Sequence, residues 1–505
     1  MFPPDHPTQD TSSGAHVNHL FISARAGSGK TTRIMKMVEE LPKGSSNLVL
    51  MYNKAVAEEA ESRLKANGFS STQAMTINKL GYQMTRILFP RCWVKATKLE
   101  DILFFQLCGK DFKKKRKFKN APKLCAMLKC LGCDPKDPMP NSFLQQVETQ
   151  YTLDEGEGDV YYEMVRTLYR TSCADTKILD FDDQVLFPTI HGYQNRIPYD
   201  NIFVDESQDL NQAQINLLKL LVGPQTRLVA VGDPYQAIYG FRGASHNAVE
   251  VLKQTFQMEE ITMPTCWRCS QAVIAEARGC VPDIVAKPDA EPGGIVVYDE
   301  EDGAGPKLDL AKIVPSNPTF ILCRTRAPLI GLAVDRMNNG KPFQLKLGSA
   351  GADFIKKIHE QMEPQTIDKP QYIQRLEDYL IREVRKLKAR HQHSTAGFLE
   401  DTCTMLKEIA ERVGLPQVPE TIDKIFSLNG KDGDATVTLM TIHQSKGLEA
   451  YEVFLYAAEL LPHPFAKSDW ELKQEANLKY IAITRAQMFF NYVFTGRDEN
   501  TTERD

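Results

Sequence analysis

The chemistry that can be read first lies at Ala24-Arg25-Ala26-Gly27-Ser28-Gly29-Lys30-Thr31-Thr32. A Gly-rich turn between the apolar run Phe21-Ile22-Ser23 and a helix-forming stretch can aim its backbone N–H groups at phosphate oxygens. Lys30 then reaches the β and γ phosphates, and the Thr31 hydroxyl can ligate Mg2+. Ala24 stands where the common G-x-x-x-x-G-K-[ST] pattern has glycine, and it is tolerated if that residue keeps a negative φ. A second apolar run, Asn201-Ile202-Phe203-Val204, ends in Asp205-Glu206. Asp205 can hold Mg2+ through water, while Glu206 can orient and deprotonate the water that attacks the γ-phosphorus. Gln236, at the end of the next such run, offers an uncharged contact to the same water. A Gly-rich turn before an ordinary helix, or an acidic first helical turn, would account for either pattern alone. Together they point to nucleotide phosphates and Mg2+.

Such groups work only if strands deliver them to one edge, and open α/β sheets bind ligands beyond the carboxyl ends of their strands. Apolar runs at 48–51, 201–204 and 227–231 supply one set with the run before Ala24, and runs at 319–323, 437–440, 453–456 and 489–493 supply another. The expected fold is therefore α/β, with two parallel-sheet units each interrupted by a helical insertion. The first unit takes 1–81 and 176–245 around an insertion at 82–175. The second takes 246–345 and 431–505 around a smaller, charged insertion at 346–430.

A chain of 505 residues is too long for one core. Its net charge of −4 gives no global attraction to a polyanion, so nucleic-acid contact must be local. The densest basic run, Lys113-Lys114-Lys115-Arg116-Lys117-Phe118-Lys119, is either a solvated surface or such a contact. No apolar run is long enough to span a bilayer, and the first residues lack a basic segment and an apolar stretch, so a cytoplasmic location is expected. Eleven cysteines, an odd number, argue for reduced thiols. Cys130 and Cys133, with Cys125 nearby, have metal-ligand spacing but no obvious fourth ligand. Cys266 and Cys269 share that spacing within a candidate nucleotide segment.

The cradle at 24–32, Asp205-Glu206-Ser207-Gln208-Asp209, the stretch 231–244, Met440-Thr441-Ile442-His443-Gln444-Ser445-Lys446-Gly447-Leu448-Glu449 and Tyr480-Ile481-Ala482-Ile483-Thr484-Arg485-Ala486 resemble, in order, the motifs of superfamily 1 helicases. The UvrD, Rep and PcrA group is the nearest in pattern, and the resemblance extends from about residue 9 to 486. It implies two RecA-like motor domains with ATP in the cleft between them. By resemblance Gln9 reads adenine, Trp267 stacks on it, Arg268 contacts the γ-phosphate, Gly447 and Glu449 contact the nucleotide, and Arg485 is the second arginine finger. The implied contacts to single-stranded DNA are Asn53, Lys54, Thr76, Asn78, Phe241, Thr441 and His443, with Phe241 as a stacking aromatic.

The implied activity is an ATP-dependent DNA helicase or translocase, moving 3′ to 5′ on single-stranded DNA and opening tailed duplexes. A second class, a non-motor ATP-dependent sensor that controls a partner nuclease, would bind the same ligands without stepping; Glu206 and the two arginines favour turnover. Asn78 departs from the family, where histidine is usual. Cys266 and Cys269 replace Asn and Ser beside Trp267-Arg268.

Overall fold

A strand buried on both faces sends alternate residues into two different cores, which is why it reads as an unbroken apolar run. A computed structural model describes residues 17–151, 153–154, 156, 158–194, 198–238, 247–299, 308–347, 352–428, 436–464 and 466–496. In it β1 (Leu20–Ala24), β2 (Asn47–Met51), β3 (Thr72–Thr76), β4 (Asn201–Val204), β5 (Arg227–Gly232) and β6 (Glu259–Met263) form one parallel sheet, ordered β3-β2-β4-β5-β1-β6. Phe21, Leu48, Leu50, Ile202 and Leu228 enter a core with the helices Gln212–Lys219 and Ala248–Phe256. Ile22, Val49, Phe203 and Val229 enter the opposite core with α1 (Lys30–Glu39) and the helix Lys54–Ala66. Full burial of each such side chain is worth about 1.5–3 kcal/mol. Register is pinned at the far edge by buried amides: Asn47 donates to Thr72 Oγ1 at 3.0 Å and accepts from Asn201 Nδ2 at 2.9 Å.

The second parallel sheet contains β7 (Gly294–Asp299), β8 (Thr319–Cys323), β9 (Gln344–Lys346), β10 (Val437–Thr441), β11 (Ala450–Tyr456) and β12 (Ala486–Phe494), ordered β7-β12-β11-β8-β10-β9. Phe320, Leu322, Met440 and Val453 pack with the helices Gln271–Ala277 and Asp469–Ile483. Ile321, Cys323 and Leu439 face a core shared with the helices Ala352–Gln361, His393–Arg412 and Val418–Leu428. The helices expected as a second insertion are thus also the layer that covers one face of this sheet.

One expected boundary moves. The sequence reading puts residues after 245 in the second unit, yet β6 pairs with β1, and Val249, Leu252 and Phe256 bury in the first sheet's core. The apolar face of this helix has its complement on the first sheet, so the first unit extends through Met263.

The first insertion has its own core, built on Leu124, Leu128, Tyr162, Leu168 and Tyr169. A buried ion network ties it to the first sheet. Lys98 Nζ lies 2.7 Å from Asp183, and Lys129 Nζ lies 2.5 Å from Asp180 and 2.6 Å from Asp183, all almost without solvent. Asp183 begins the helix Asp183–Ile190, which packs on Ile77–Leu88, the helix leaving β3. Gly81 permits that approach, because a Cβ there would meet the Gln184 carbonyl oxygen at 2.3 Å.

Candidate functional site

The turn after β1 is shaped by two residues with positive φ, Gly27 at 65° and Gly29 at 81°, a backbone that side-chain-bearing residues rarely adopt. Gly29 caps α1 and accepts its first hydrogen bond, from Arg33 N at 2.8 Å, so the amides of Lys30, Thr31 and Thr32 precede the helical ladder. Arg25 and Ala26, expected as part of the cradle, are committed elsewhere. Arg25 donates through its amide to Met263 and through its guanidinium to Asp283 at 2.6 and 2.8 Å, and the Ala26 amide donates to Tyr480 Oη at 2.9 Å. The part of 24–32 with groups to offer a phosphate therefore narrows to Gly27 onward. Ser28 Oγ is buried there without a hydrogen-bond partner among the described residues.

Opposite the turn, β4 delivers the carboxylates. Thr31 Oγ1 donates to Asp205 Oδ2 at 2.8 Å, and Lys30 Nζ lies 3.5 Å from Glu206 Oε1. A hydroxyl and a carboxylate converging in this way form an oxygen donor set that fits Mg2+. Glu206 adopts a left-handed backbone, φ 50°, and its carboxylate accepts from Gln208 Nε2 at 2.5 Å. The two acids split in proton affinity. Burial and the Glu206 charge push Asp205 up to about 6. Burial acts the same way on Glu206, but Lys30, Lys446 and Gln208 outweigh it and bring that carboxyl down to about 2. The lower member is thus a carboxylate at neutral pH. Burial also opposes the Lys30 charge, and Glu206, Asp233 and Asp205 overcome it, so the ammonium keeps its proton. Gln236 turns its side chain onto Asp233, donating at 2.7 Å.

Groups from the second sheet close over this site. The Trp267 amide donates to the Gly27 carbonyl at 2.8 Å, while the indole is 62 % exposed and has a face available for stacking. Arg268 is ion-paired with Glu449 and donates to the Thr484 carbonyl at 3.2 Å. Lys446 Nζ reaches across to Asp209 Oδ2 at 2.5 Å and the Gln236 carbonyl at 2.7 Å; Gly447 follows it. Arg485 is buried and donates to the carbonyls of Ile481 at 3.1 Å and Leu448 at 3.0 Å. Burial and the Arg268 charge push its guanidinium down to about 10, and Glu206 pulls the other way. In this arrangement its hydrogen bonds go to these backbone carbonyls and to Thr484 Oγ1 at 3.3 Å.

Three of the residues named for strand contact serve as helix caps. Asn53 accepts from Val56 N at 2.9 Å, Thr76 accepts from Lys79 N at 3.2 Å, and Thr441 bonds Gln444 Oε1 at 3.1 Å at the head of Ile442–Ser445, the turn that carries His443. Lys54 is exposed and pairs with Glu58, 3.6 Å away. Asn78 donates to the Phe181 carbonyl at 3.3 Å. A pocket of about 340 Å³ runs from Asp205, Glu206 and Asp209 to Tyr52, Thr76 and Asn78, so the carboxylates and the expected strand contacts share one space. Tyr52 and Phe181, 51 % and 58 % exposed, add aromatic faces at this edge. No pattern in the sequence marked them; their signal is an apolar ring beside a polar contact. Gln9 and Phe241 lie outside the described residues.

Two family models match the chain: the UvrD/REP helicase N-terminal domain over residues 6–257 and the UvrD-like helicase C-terminal domain over residues 335–492. Among curated proteins, the ATP-dependent DNA helicase Rep of Escherichia coli strain K12 is 36 % identical over 132 residues, covering 24 % of this chain and 19 % of Rep. The ATP-dependent DNA helicase PcrA of Staphylococcus epidermidis is 29 % identical over 252 residues, covering 45 % of this chain and 32 % of PcrA. PcrA of Staphylococcus aureus aligns over 609 positions at 23 % identity, covering 93 % of this chain and 80 % of PcrA. The alignments of higher identity thus span well under two thirds of the relatives' own length.

Proposed function

The chain belongs to the UvrD/REP helicase family, and on that premise we propose that it hydrolyses ATP to move 3′ to 5′ along single-stranded DNA and to open tailed duplexes. The observation that carries this reading is the cleft itself: Lys30, Asp205 and Glu206 from one sheet lie under Trp267, Arg268, Lys446 and Arg485 from the other. A ligand held by both halves couples their separation to its own chemical state, which is how hydrolysis becomes displacement.

In this mechanism Thr31 and Asp205 would hold Mg2+, which supplies charge neutralisation at the phosphates when bound. Glu206, kept ionised by Lys30 and Lys446, takes the proton of the attacking water. Lys30 binds phosphate charge, Trp267 offers its open face to the base, and Arg268 can exchange Glu449 for phosphate. Arg485 adds positive field where negative charge develops. On the strand side, Asn78, Thr441 and His443 would meet the DNA, with the rings of Tyr52 and Phe181 beside them for base stacking.

Eleven reduced thiols and the absence, among the described residues, of a helix long and apolar enough to cross a membrane go with a cytoplasmic site of action. The test measures ATP turnover with single-stranded DNA, duplex DNA and RNA, then unwinding of duplexes with a 3′ or a 5′ tail. Strong stimulation by single-stranded DNA and a preference for the 3′ tail are expected. ATP binding without DNA-stimulated turnover would replace this reading with the non-motor sensor.

A further inference from the structure

Cys266 and Cys269 bracket Trp267 and Arg268, and a Cys-x-x-Cys turn is the spacing at which two thiols can close on each other. Cys266 ends the short strand Thr265–Cys266, and Cys269 immediately precedes Ser270, the cap of Gln271–Ala277. The turn brings Cys269 N within 3.4 Å of Cys266 Sγ, its amide donating to that sulfur. Each sulfur also touches the cleft. A Cβ on Gly27 would fall 2.6 Å from Cys266 Sγ, so the cradle's own backbone lies over that sulfur. The Cys269 thiol donates at 3.7 Å to the carbonyl of Thr484, next to Arg485. Both cysteines are 0–1 % exposed while the halves are together, and Gly27 is among the residues packed against Cys266. Among the thiols with shifted proton affinity, Cys266 alone moves downward, to about 6, through the Cys269 thiol and, against burial, the amides of Cys269 and Arg268; the other shifts run upward with burial.

We propose that Cys266 and Cys269 are a redox-active dithiol, converted to a disulfide by hydrogen peroxide when the cleft opens and Gly27 leaves Cys266, and that the disulfide disables the nucleotide site. The Cys266 thiolate attacks the peroxide, forming an S–O bond and breaking O–O; the hydroxide released takes a proton to become water. The Cys269 thiol then attacks the sulfenic sulfur, forming S–S and breaking S–O, and its proton leaves with the oxygen as a second water. The two thiols lose two electrons in all, and the peroxide oxygens gain them. The product has no S–H to give the Thr484 carbonyl and ties together the ends of the Trp267-Arg268 turn, so Arg268 stays with Glu449. This consequence rests on the reading of the cleft as the ATP site, whereas formation of the bond does not.

The experiment treats the full chain with hydrogen peroxide, with and without a non-hydrolysable ATP analogue and Mg2+, blocks remaining thiols and maps the peptides by mass. A Cys266–Cys269 linkage is expected in the nucleotide-free chain, forming at least about 10-fold more slowly when the analogue holds the cleft closed. Turnover and binding of a fluorescent ATP analogue should fall at least about 10-fold on oxidation and return with dithiothreitol. Cys269→Ser should show neither the link nor the reversible loss, each measured against its own reduced form. Absence of the link in the parent chain, or a link that leaves nucleotide binding and turnover unchanged, overturns the proposal. Should the reduced chain show no turnover at all, the helicase reading falls separately, and mapping with analogue binding still decides this one.

Discussion

Lys446 and Asp209 are separated by 237 positions in sequence and by 2.5 Å in space, and each side chain is no more than 7 % exposed. The pair spans the cleft between the two sheets. Burial pushes Asp209 up to about 6 even with Lys446 beside it, so the lysine offsets only part of the cost of that carboxylate. Glu206 also feels the same ammonium. One lysine therefore serves both the joint between the halves and the charge of the candidate base.

Lys446→Ala should lower the melting temperature and reduce turnover, because it leaves Asp209 buried without its partner, a change of about 3–5 kcal/mol for a buried pair. Adding Asp209→Asn should recover part of the stability. Strictly additive losses in the double-mutant cycle would show that the two side chains do not act together.

Lys30→Ala should abolish nucleotide binding and hydrolysis together, while Glu206→Gln should retain binding and lose about 100-fold or more in turnover. Parent-level turnover by the glutamine variant would remove Glu206 from the role of base.

Arg485→Ala should cost turnover about 1,000-fold or more, with a much smaller change in nucleotide affinity, because positive field at developing charge acts on the transition state. The carbonyls it now satisfies make some loss of stability inevitable, so melting is measured in parallel. Equal losses in affinity and turnover would make Arg485 a ground-state contact.

Asp205 predicts a pH dependence. Its folded value of about 6 lies above the ordinary 3.8, so over that interval the folded chain holds the extra proton and loses stability as pH rises. Binding Mg2+ with nucleotide must expel this proton. Affinity for the metal–nucleotide should accordingly rise with pH up to about 6 and level off above it, and Asp205→Asn should bind weakly without the step. A flat profile in the parent between about pH 5 and 7.5 contradicts the assignment.

The helix Phe112–Lys117 carries the basic run, with Lys115 Nζ 5.5 Å from the ring centres of both Phe105 and Phe112, which are 72 % and 81 % exposed. Replacing Lys113, Lys114, Lys115, Arg116 and Lys117 with Ala should impair unwinding of a tailed duplex and spare turnover on saturating single-stranded DNA. The salt dependence of duplex binding should flatten by about 0.9 for every phosphate that the run no longer neutralises. An unchanged slope and unchanged unwinding return the run to a solvated surface.

The interior strands of both sheets were readable as apolar runs because each needs two buried faces. Of the four edge strands, β3, β6 and β9 carry no such run, and the run of β7, Ile295-Val296-Val297-Tyr298, has no fully buried residue. Glu259-Glu260-Ile261-Thr262 in β6 is exposed throughout, and nothing requires it to be apolar. The sequence therefore carries no strand signal for the first sheet past residue 245, although β6 pairs with β1. The acids and the cradle were legible because their chemistry sits at strand ends. The contacts of Lys446 with Asp209 and of Tyr480 with Ala26 were not, since nothing local fixes a partner 237 or 454 positions away.

The ion network of Lys98, Lys129, Asp180 and Asp183 fixes the mechanical compliance of the first insertion. Sliding the insertion past the helix Asp183–Ile190 would strip partners from charges that have no water to turn to, at about 3–5 kcal/mol for each broken pair. A rotation of the first sheet would therefore carry the insertion and its basic helix Phe112–Lys117 as one body, a lever arm rooted in these four charges.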